Sequence, residues 1–287
     1  MTLRDKYGHK ACMFLRVRCY HIDMEKHVSF VTSRARLWLQ NPWPFAALMG
    51  SALLYVTFLV SGLAEDVLDN ESIVRIDGWL VHWLAARRTP LGISLFEGVS
   101  FLGNWEVALL IAATVVVFLW NRRRRSALAL ALACAGSELT VYFGKAGFGR
   151  PRPPAVLSAV TELDASFPSG HANISVVLYA LGFYLLFRFT RSPRLKRLFL
   201  VLACLFPLLI GFSRLYLGAH YLSDVLAGWG VGLWWSILAV GIPGFVRRRN
   251  VARGQTFPCQ HKISQDAAER VCGLYWIAQV RRAAQLL

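Results

Sequence analysis

The feature that most constrains this chain is a series of apolar stretches almost free of charge. Trp43 to Leu63 and Val225 to Val246 carry none; Val99 to Trp120 carries only Glu106, and Ser126 to Phe143 only Glu138. Pro168 to Phe187 meets nothing more polar than Ser169, His171, Asn173 and Ser175. Leu198 to Phe212 is shorter and contains Pro207, so it must borrow flanking residues. A helix crossing the hydrocarbon of a bilayer needs roughly 20 residues, or about 17 where the bilayer is thin. The pattern therefore predicts an all-α polytopic membrane protein built as a six-transmembrane-helix bundle. Between the first two spans, Ile73, Ile76, Leu80 and Trp83 recur at helical spacing beside Trp79, which predicts an amphipathic helix in the outer interface.

Composition agrees: 56% of the 287 residues are hydrophobic and 17% charged. These proportions exclude a disordered chain and a secreted disulfide scaffold, and they argue against a soluble enzyme. Lys and Arg number 32 against 16 Asp and Glu. The surplus reads as a topology signal, because residues 1–42, Arg122 to Arg125, residues 188–197 and the tail after Val246 hold 8, 4, 5 and 8 of the 32. Both termini are then cytoplasmic, and the acidic cluster Glu65, Asp66, Asp69, Glu71 and Asp77 lies outside. Nucleic-acid binding is not expected, since the charges flank spans. Cys12, Cys19, Cys259 and Cys272 fall in cytoplasmic segments and Cys134 and Cys204 within spans, so neither disulfide nor structural metal is expected. The first apolar run is too long and too late for a cleavable signal peptide. Residues 1–42 form a basic cytoplasmic lead, 43–246 the six-span domain, and 247–287 a basic cytoplasmic tail whose part from Ala267 to Leu287 has the pattern of a surface helix.

Chemistry concentrates at three places. Lys145, Arg150 and Arg152 sit among Gly and Pro residues in Lys-Ala-Gly-Phe-Gly-Arg-Pro-Arg-Pro, after the third span. Lys as a point charge and Arg as a planar fork clamp phosphate oxygens, although a basic loop at a membrane edge more often only meets headgroups. Pro168-Ser169-Gly170-His171 opens the fourth span, where exposed N–H groups and the helix dipole favour an anion; a plain helix cap with an interfacial histidine reads equally well for this tetrapeptide alone. Ser213-Arg214 precedes His220 and Asp224, which are four residues apart, so the carboxylate can fix the imidazole tautomer and leave the other ring nitrogen nucleophilic. A surface ion pair is the bland alternative, at odds with the cost of a carboxylate at the membrane edge. Counting spans from an inside N-terminus puts all three motifs on one face, and a miscount by one would split them.

Lys-x6-Arg-Pro at Lys145, Arg152 and Pro153, Pro-Ser-Gly-His at 168–171 and Ser-Arg-x5-His-x3-Asp at 213–224 together resemble the tripartite signature of the type 2 phosphatidic acid phosphatase (PAP2) superfamily. The resemblance covers residues 43–246 and implies a lipid phosphatase. It assigns His220 as the nucleophile that forms a phosphohistidine, Asp224 as its orienting carboxylate and His171 as proton donor to the leaving oxygen. Lys145, Arg152, Ser169, Gly170 and Arg214 would hold the phosphoryl oxygens. It implies no metal and no cofactor, with Arg150 left outside the signature as a headgroup contact. Glu138, two helical turns below Lys145, reads as an interhelical hydrogen-bonding group.

The expected partner is a lipid phosphate or pyrophosphate at the extracytoplasmic face of a bacterial inner membrane: undecaprenyl pyrophosphate, phosphatidic acid, phosphatidylglycerophosphate or a lipid A phosphate. The residues do not choose among these; family prevalence leans to the first. Two rivals stay open, a phosphotransferase that passes the phosphohistidine to a lipid acceptor and a non-catalytic lipid-phosphate carrier. A carrier would need the cations but not His220 with Asp224. Oligomeric state is not legible.

Overall fold

In a computed structural model, residues 41–69 and 72–253 are described, and all their regular elements are helical. The basic N-terminal lead, the tail helix expected from Ala267 and Cys12, Cys19, Cys259 and Cys272 lie outside the described residues. The helices are α1 (Pro42–Leu68), α2 (Ser72–Ala85), α3 (Pro90–Phe101), α4 (Trp105–Phe148), α5 (Gly170–Phe189), α6 (Pro193–Tyr216) and α7 (Leu222–Ala252). Asn41 and Thr89 cap α1 and α3, each followed by Pro in the first turn, where its missing N–H costs nothing.

Five helical segments are long and apolar enough to span a membrane: α1, the part of α4 from Arg124 to Phe148, α5, α6 and α7. The sixth span expected over Val99 to Trp120 is a bent pair, which makes a sixth crossing if its two parts count as one span. Helix α3 ends at Phe101, and the chain continues at 43° as Glu106–Val117. Helical backbone then runs unbroken to Phe148, but Gly103 and Asn104 line the same cavity as Lys145. A straight helix of 44 residues would hold those ends about 66 Å apart, so the chain reverses between Val117 and Arg124, within the stretch containing the arginine run.

Helix α5 is the centre of the bundle, with 61% of its apolar stretch buried by protein against none for α1. Small residues allow its close packing. A Cβ at Gly228 of α7 would stand 2.4 Å from the Ser169 carbonyl oxygen, and one at Gly232 would stand 2.7 Å from that of Asn173. This Gly-x-x-x-Gly face lets two helix backbones approach as membrane helices do when dispersion rather than water drives association. Helix α1 packs outside α7, where Val60 and Met49 meet Gly230 and Gly241.

Helix α2 exists where amphipathic spacing placed it, and the face opposite its exposed apolar residues packs into the protein. Asp77, Val81 and Leu84 are buried, whereas Ile76, Trp79 and Trp83 are exposed. Leu84 joins Ala172, Leu215 and Val225 in a cluster beneath the motif end of the bundle. The helix therefore turns a carboxylate inward, because a cationic partner waits there.

Candidate active site

The three motifs meet at one end of the bundle. Gly149, at φ 56°, closes α4 in the left-handed conformation that glycine adopts without a Cβ penalty, and sends the chain into the Arg150–Arg152 loop. His220 and Asp224 are fully buried, and Arg214 is 3% exposed. His220 Nδ1 lies 3.5 Å from Asp224 Oδ2, a long contact, while Nε2 lies 3.2 Å from Arg152 Nη1. That arrangement makes Nε2 an acceptor and puts the ring proton on Nδ1, the tautomer a nucleophile needs. Burial pushes the His220 pKa down to about 3 against the pull of Asp224, so the ring is neutral.

Behind the histidine stands a network that the sequence did not announce. Asp224 Oδ2 accepts from the Tyr221 N–H at 2.8 Å and from Ser166 Oγ. Its Oδ1 accepts from Arg150 Nη1 at 2.5 Å. Arg150 Nη2 donates to Asp77 at 2.9 Å, and Asp77 also accepts from the Ser223 N–H at 3.0 Å and from Ser223 Oγ. Burial alone would lower the Arg150 pKa; Asp224 and Asp77 outweigh it and raise it. Arg150 is thus no headgroup contact. It is 9% exposed and pairs with two buried carboxylates that would otherwise repel each other.

Lys145, Arg152 and Arg214, the cations expected to clamp phosphate, are joined through Glu162 and Asp164, and Arg152 reaches His220. Arg152 Nη1 donates to the Ala219 carbonyl at 2.7 Å, which aims its fork. Arg214 Nη1 donates to Ser100 Oγ of α3 at 2.6 Å, and its buried Nε has no hydrogen-bond partner among the described residues. Two carboxylates of the 154–167 loop fill the clamp. Asp164 pairs with Lys145 and, at 2.5 Å, with Arg152; Glu162 pairs with Arg152 at 2.8 Å and with Arg214. Burial would raise the Asp164 pKa, but Lys145 and Arg152 hold it down at about 2.

His171 borders a cavity of about 1050 Å³ that runs between the two arms of α4, past Ala108, Ala112, Ala131 and Ala135, down to Val116. A Cβ at Gly103 would stand 3.1 Å from the His171 ring, so that glycine leaves room for the imidazole. Ser169 caps α5, accepting from the Ala172 N–H at 3.5 Å, and is buried. Gly170 lines the cavity beside His171. Glu138 Oε1 accepts from Asn173 Nδ2 at 2.8 Å, the interhelical bond its position suggested.

All eight residues singled out from the motifs thus surround one site. Missed were Asp77, Ser100, Gly103, Glu162, Asp164 and Ser166. Only Asp77 carried a signal, as an acid one turn from apolar neighbours on a helix read as amphipathic.

The family model described as the PAP2 superfamily matches residues 126–248, which include all three motifs. Lipid A 1-phosphatase of Rhizobium johnstonii is 32% identical over 237 residues, covering 73% of this chain and 87% of that protein. Phosphatidylglycerophosphatase B of Bacillus subtilis is 27% identical over 198 residues, covering 68% of this chain and 95% of that protein. Among solved structures, a transmembrane PAP2-type phosphatidylglycerolphosphate phosphatase from Bacillus subtilis aligns with a TM-score of 0.58 at 25% identity, covering 68% of this chain and 95% of that one.

Proposed function

We propose that this chain, which belongs to the PAP2 superfamily, is an integral membrane lipid phosphatase that hydrolyses a phosphomonoester or pyrophosphate of a membrane lipid through a phosphohistidine on His220. The observation that carries the reading is the fully buried His220, whose Nδ1 faces Asp224 and whose Nε2 lies 3.2 Å from Arg152, one of the three expected clamp cations. A carrier needs the clamp but has no use for an oriented imidazole.

In the first step the Nε2 lone pair attacks phosphorus while the bond to the lipid oxygen breaks. Asp224, held by Tyr221, Ser166 and Arg150, stabilises the imidazolium that develops. His171 gives its proton to the leaving oxygen, and the three cations with the Gly170 edge of α5 neutralise the equatorial oxygens. Ser169, placed as an α5 cap, supports that edge. Water then attacks phosphorus, the phosphorus–nitrogen bond breaks, and His171 accepts the proton. The clamp supplies the charge neutralisation that a metal ion supplies in other phosphoryl-transfer sites, so the reaction is metal-independent.

The catalytic domain in this reading is residues 43–246, in a bacterial inner membrane with both termini cytoplasmic and the site outside. The apolar cavity beside His171 suits a lipid whose tails stay in the bilayer while its phosphate reaches the clamp. Undecaprenyl pyrophosphate, phosphatidic acid, phosphatidylglycerophosphate and lipid A phosphates are the candidate substrates.

The test is phosphate release by purified protein in detergent from a panel of these lipids, with and without chelator. Turnover that survives chelation supports the reading. Loss restored by magnesium, or release only when a lipid acceptor is present, would replace it with a metal-dependent or transferase mechanism. A cysteine placed at 156 should react with an impermeant thiol reagent in spheroplasts and one placed at 123 should not; the reverse pattern overturns the orientation.

A further inference from the structure

The clamp is occupied by the protein's own carboxylates. Glu162 and Asp164 together satisfy Lys145, Arg152 and Arg214, the three cations that the proposed phosphatase reading assigns to the phosphoryl group. Their four oxygens sit where phosphate oxygens would have to sit. The segment that delivers them is peripheral: Leu163, between the two acids, is 99% exposed, and Asp164 itself is 56% exposed. From Ser166 to Ser169, by contrast, the chain is buried. The acids can therefore leave the clamp without opening the core.

We propose that Glu162 and Asp164 form a tethered competitor that occupies the clamp until a phosphate group displaces it, so that weakly held anions are kept out. This inference rests on the assignment of Lys145, Arg152 and Arg214 to substrate phosphate. A tethered pair of carboxylates is present at a high effective concentration, so a free anion must displace it with electrostatic binding energy alone. A lipid phosphate brings further binding energy from its chains, which enter the apolar cavity that begins at Asp164 and His171 and continues to Val116 and Ala131. Charge points the same way. With both acids in place the clamp has three positive and two negative groups, which attracts a soluble dianion weakly; with the acids displaced it has three positive groups. Inorganic phosphate, the product, would then be expelled as the acids return. The unpartnered Arg214 Nε, buried beside Glu162, leaves one donor that the carboxylates do not satisfy and that an added phosphoryl oxygen can.

The test compares the full-length protein with its E162Q/D164N variant in detergent micelles. Two readouts are taken: the affinity for inorganic phosphate by calorimetric titration, and kcat/KM for a lipid phosphate against p-nitrophenyl phosphate. Phosphate should bind about tenfold tighter or more to the variant, and kcat/KM should rise for both esters by a similar factor, because the cost of displacing the acids is common to them. Unchanged or weaker phosphate binding would overturn the proposal, because the acids would then be aligning the cations and not competing for them. The D164N variant, changed at an exposed position, should give the same signs at smaller size and decides the matter if the double variant does not fold. Phosphate binding does not require turnover. Tighter binding in a protein that hydrolyses no lipid phosphate would sink the proposed function and leave the competitor standing; hydrolysis with unaltered binding would do the opposite.

Discussion

The two halves of the site are built on different principles. On one side, the rear, His220, Asp224 and Asp77 are buried and Arg150 is 9% exposed, and every charge is crossed by a partner from another segment: the loop after α4, α2 and the start of α7. On the other, the front, His171 and Lys145 border an open cavity, and the clamp cations are held by acids on a peripheral loop. The rear half gains precision from desolvation, since a buried ion pair can be rearranged only at the cost of an unpaired charge. The front half holds its cations with two acids of an exposed loop, the groups that a substrate would replace in the proposed mechanism. A nucleophile must not move, whereas a phosphate has to enter and leave.

The largest break in this contrast is His220→Ala, which removes the attacking atom. Phosphate release should fall by several orders of magnitude for every substrate. His171→Ala should instead cost about 10²–10⁴-fold for a simple lipid monoester and clearly less for a pyrophosphate or nitrophenyl ester, whose leaving groups need a proton less. Equal losses across leaving groups would remove His171 from the acid role.

Next comes Arg150→Ala, which leaves Asp77 and Asp224 buried without their shared cation. Loss of one partner from such a pair costs about 3–5 kcal/mol, so thermal unfolding in detergent should shift strongly downward. Asp164→Asn, in the front half, should hardly move that transition, because surface pairs contribute little. Comparable shifts for the two variants would erase the distinction between a rigid rear and a displaceable front.

A smaller effect is expected for Gly103→Ala. The added methyl would press within 3.1 Å of the His171 ring and 2.8 Å of Ile210, so the imidazole must shift by a few tenths of an ångström. Turnover of the monoester should drop about tenfold with KM little changed, because misplacing a proton donor damages the transition state and not binding. A change confined to KM would mean that the glycine shapes the lipid cavity instead.

The smallest effect is on acid stability. His220 has a folded pKa of about 3 against an ordinary 6.5, so between those values the unfolded chain takes up a proton that the folded chain refuses. Stability therefore falls as pH drops from about 6.5 toward 3. Asp164, held at about 2 against 3.8, contributes stability above about pH 4 that is lost as pH falls toward 2. Melting temperature measured against pH should flatten in the upper window for His220→Asn and only in the lower one for Asp164→Asn. A His220→Asn profile parallel to that of the parent would show that the imidazole is not buried neutral.

Much of this architecture could be read before any coordinates. Each apolar run became a helix because a helix satisfies its own backbone in lipid, and charge or proline marks where it ends. Pro207 lies inside α6, which extended over Pro193–Tyr216 by recruiting the flanks that its short apolar core required. The pattern did not show the bend within Val99 to Trp120, because hydropathy registers composition but not direction, and a 43° bend leaves the apolar count unchanged. On α2 the amphipathic spacing marked the apolar face that stays exposed, Ile76, Trp79 and Trp83, but not that the opposite face would turn Asp77 into the protein.

The sequence by itself determined the apolar helices and the residues of the candidate site, because both are encoded locally: hydrophobicity over roughly 20 positions, and Lys145, Arg152, His171, Arg214, His220 and Asp224 at fixed short spacings. Only the tertiary structure decided what those residues lean on. Arg150 reaches Asp77 across 73 positions, Arg214 reaches Ser100 across 114, and Glu162 reaches Arg214 across 52. No spacing rule marks such pairs, since the distance along the chain is absorbed by helices whose packing sets who meets whom. An acid or a serine that is unremarkable in its own segment becomes a brace or a competitor only when a cation from another helix arrives beside it.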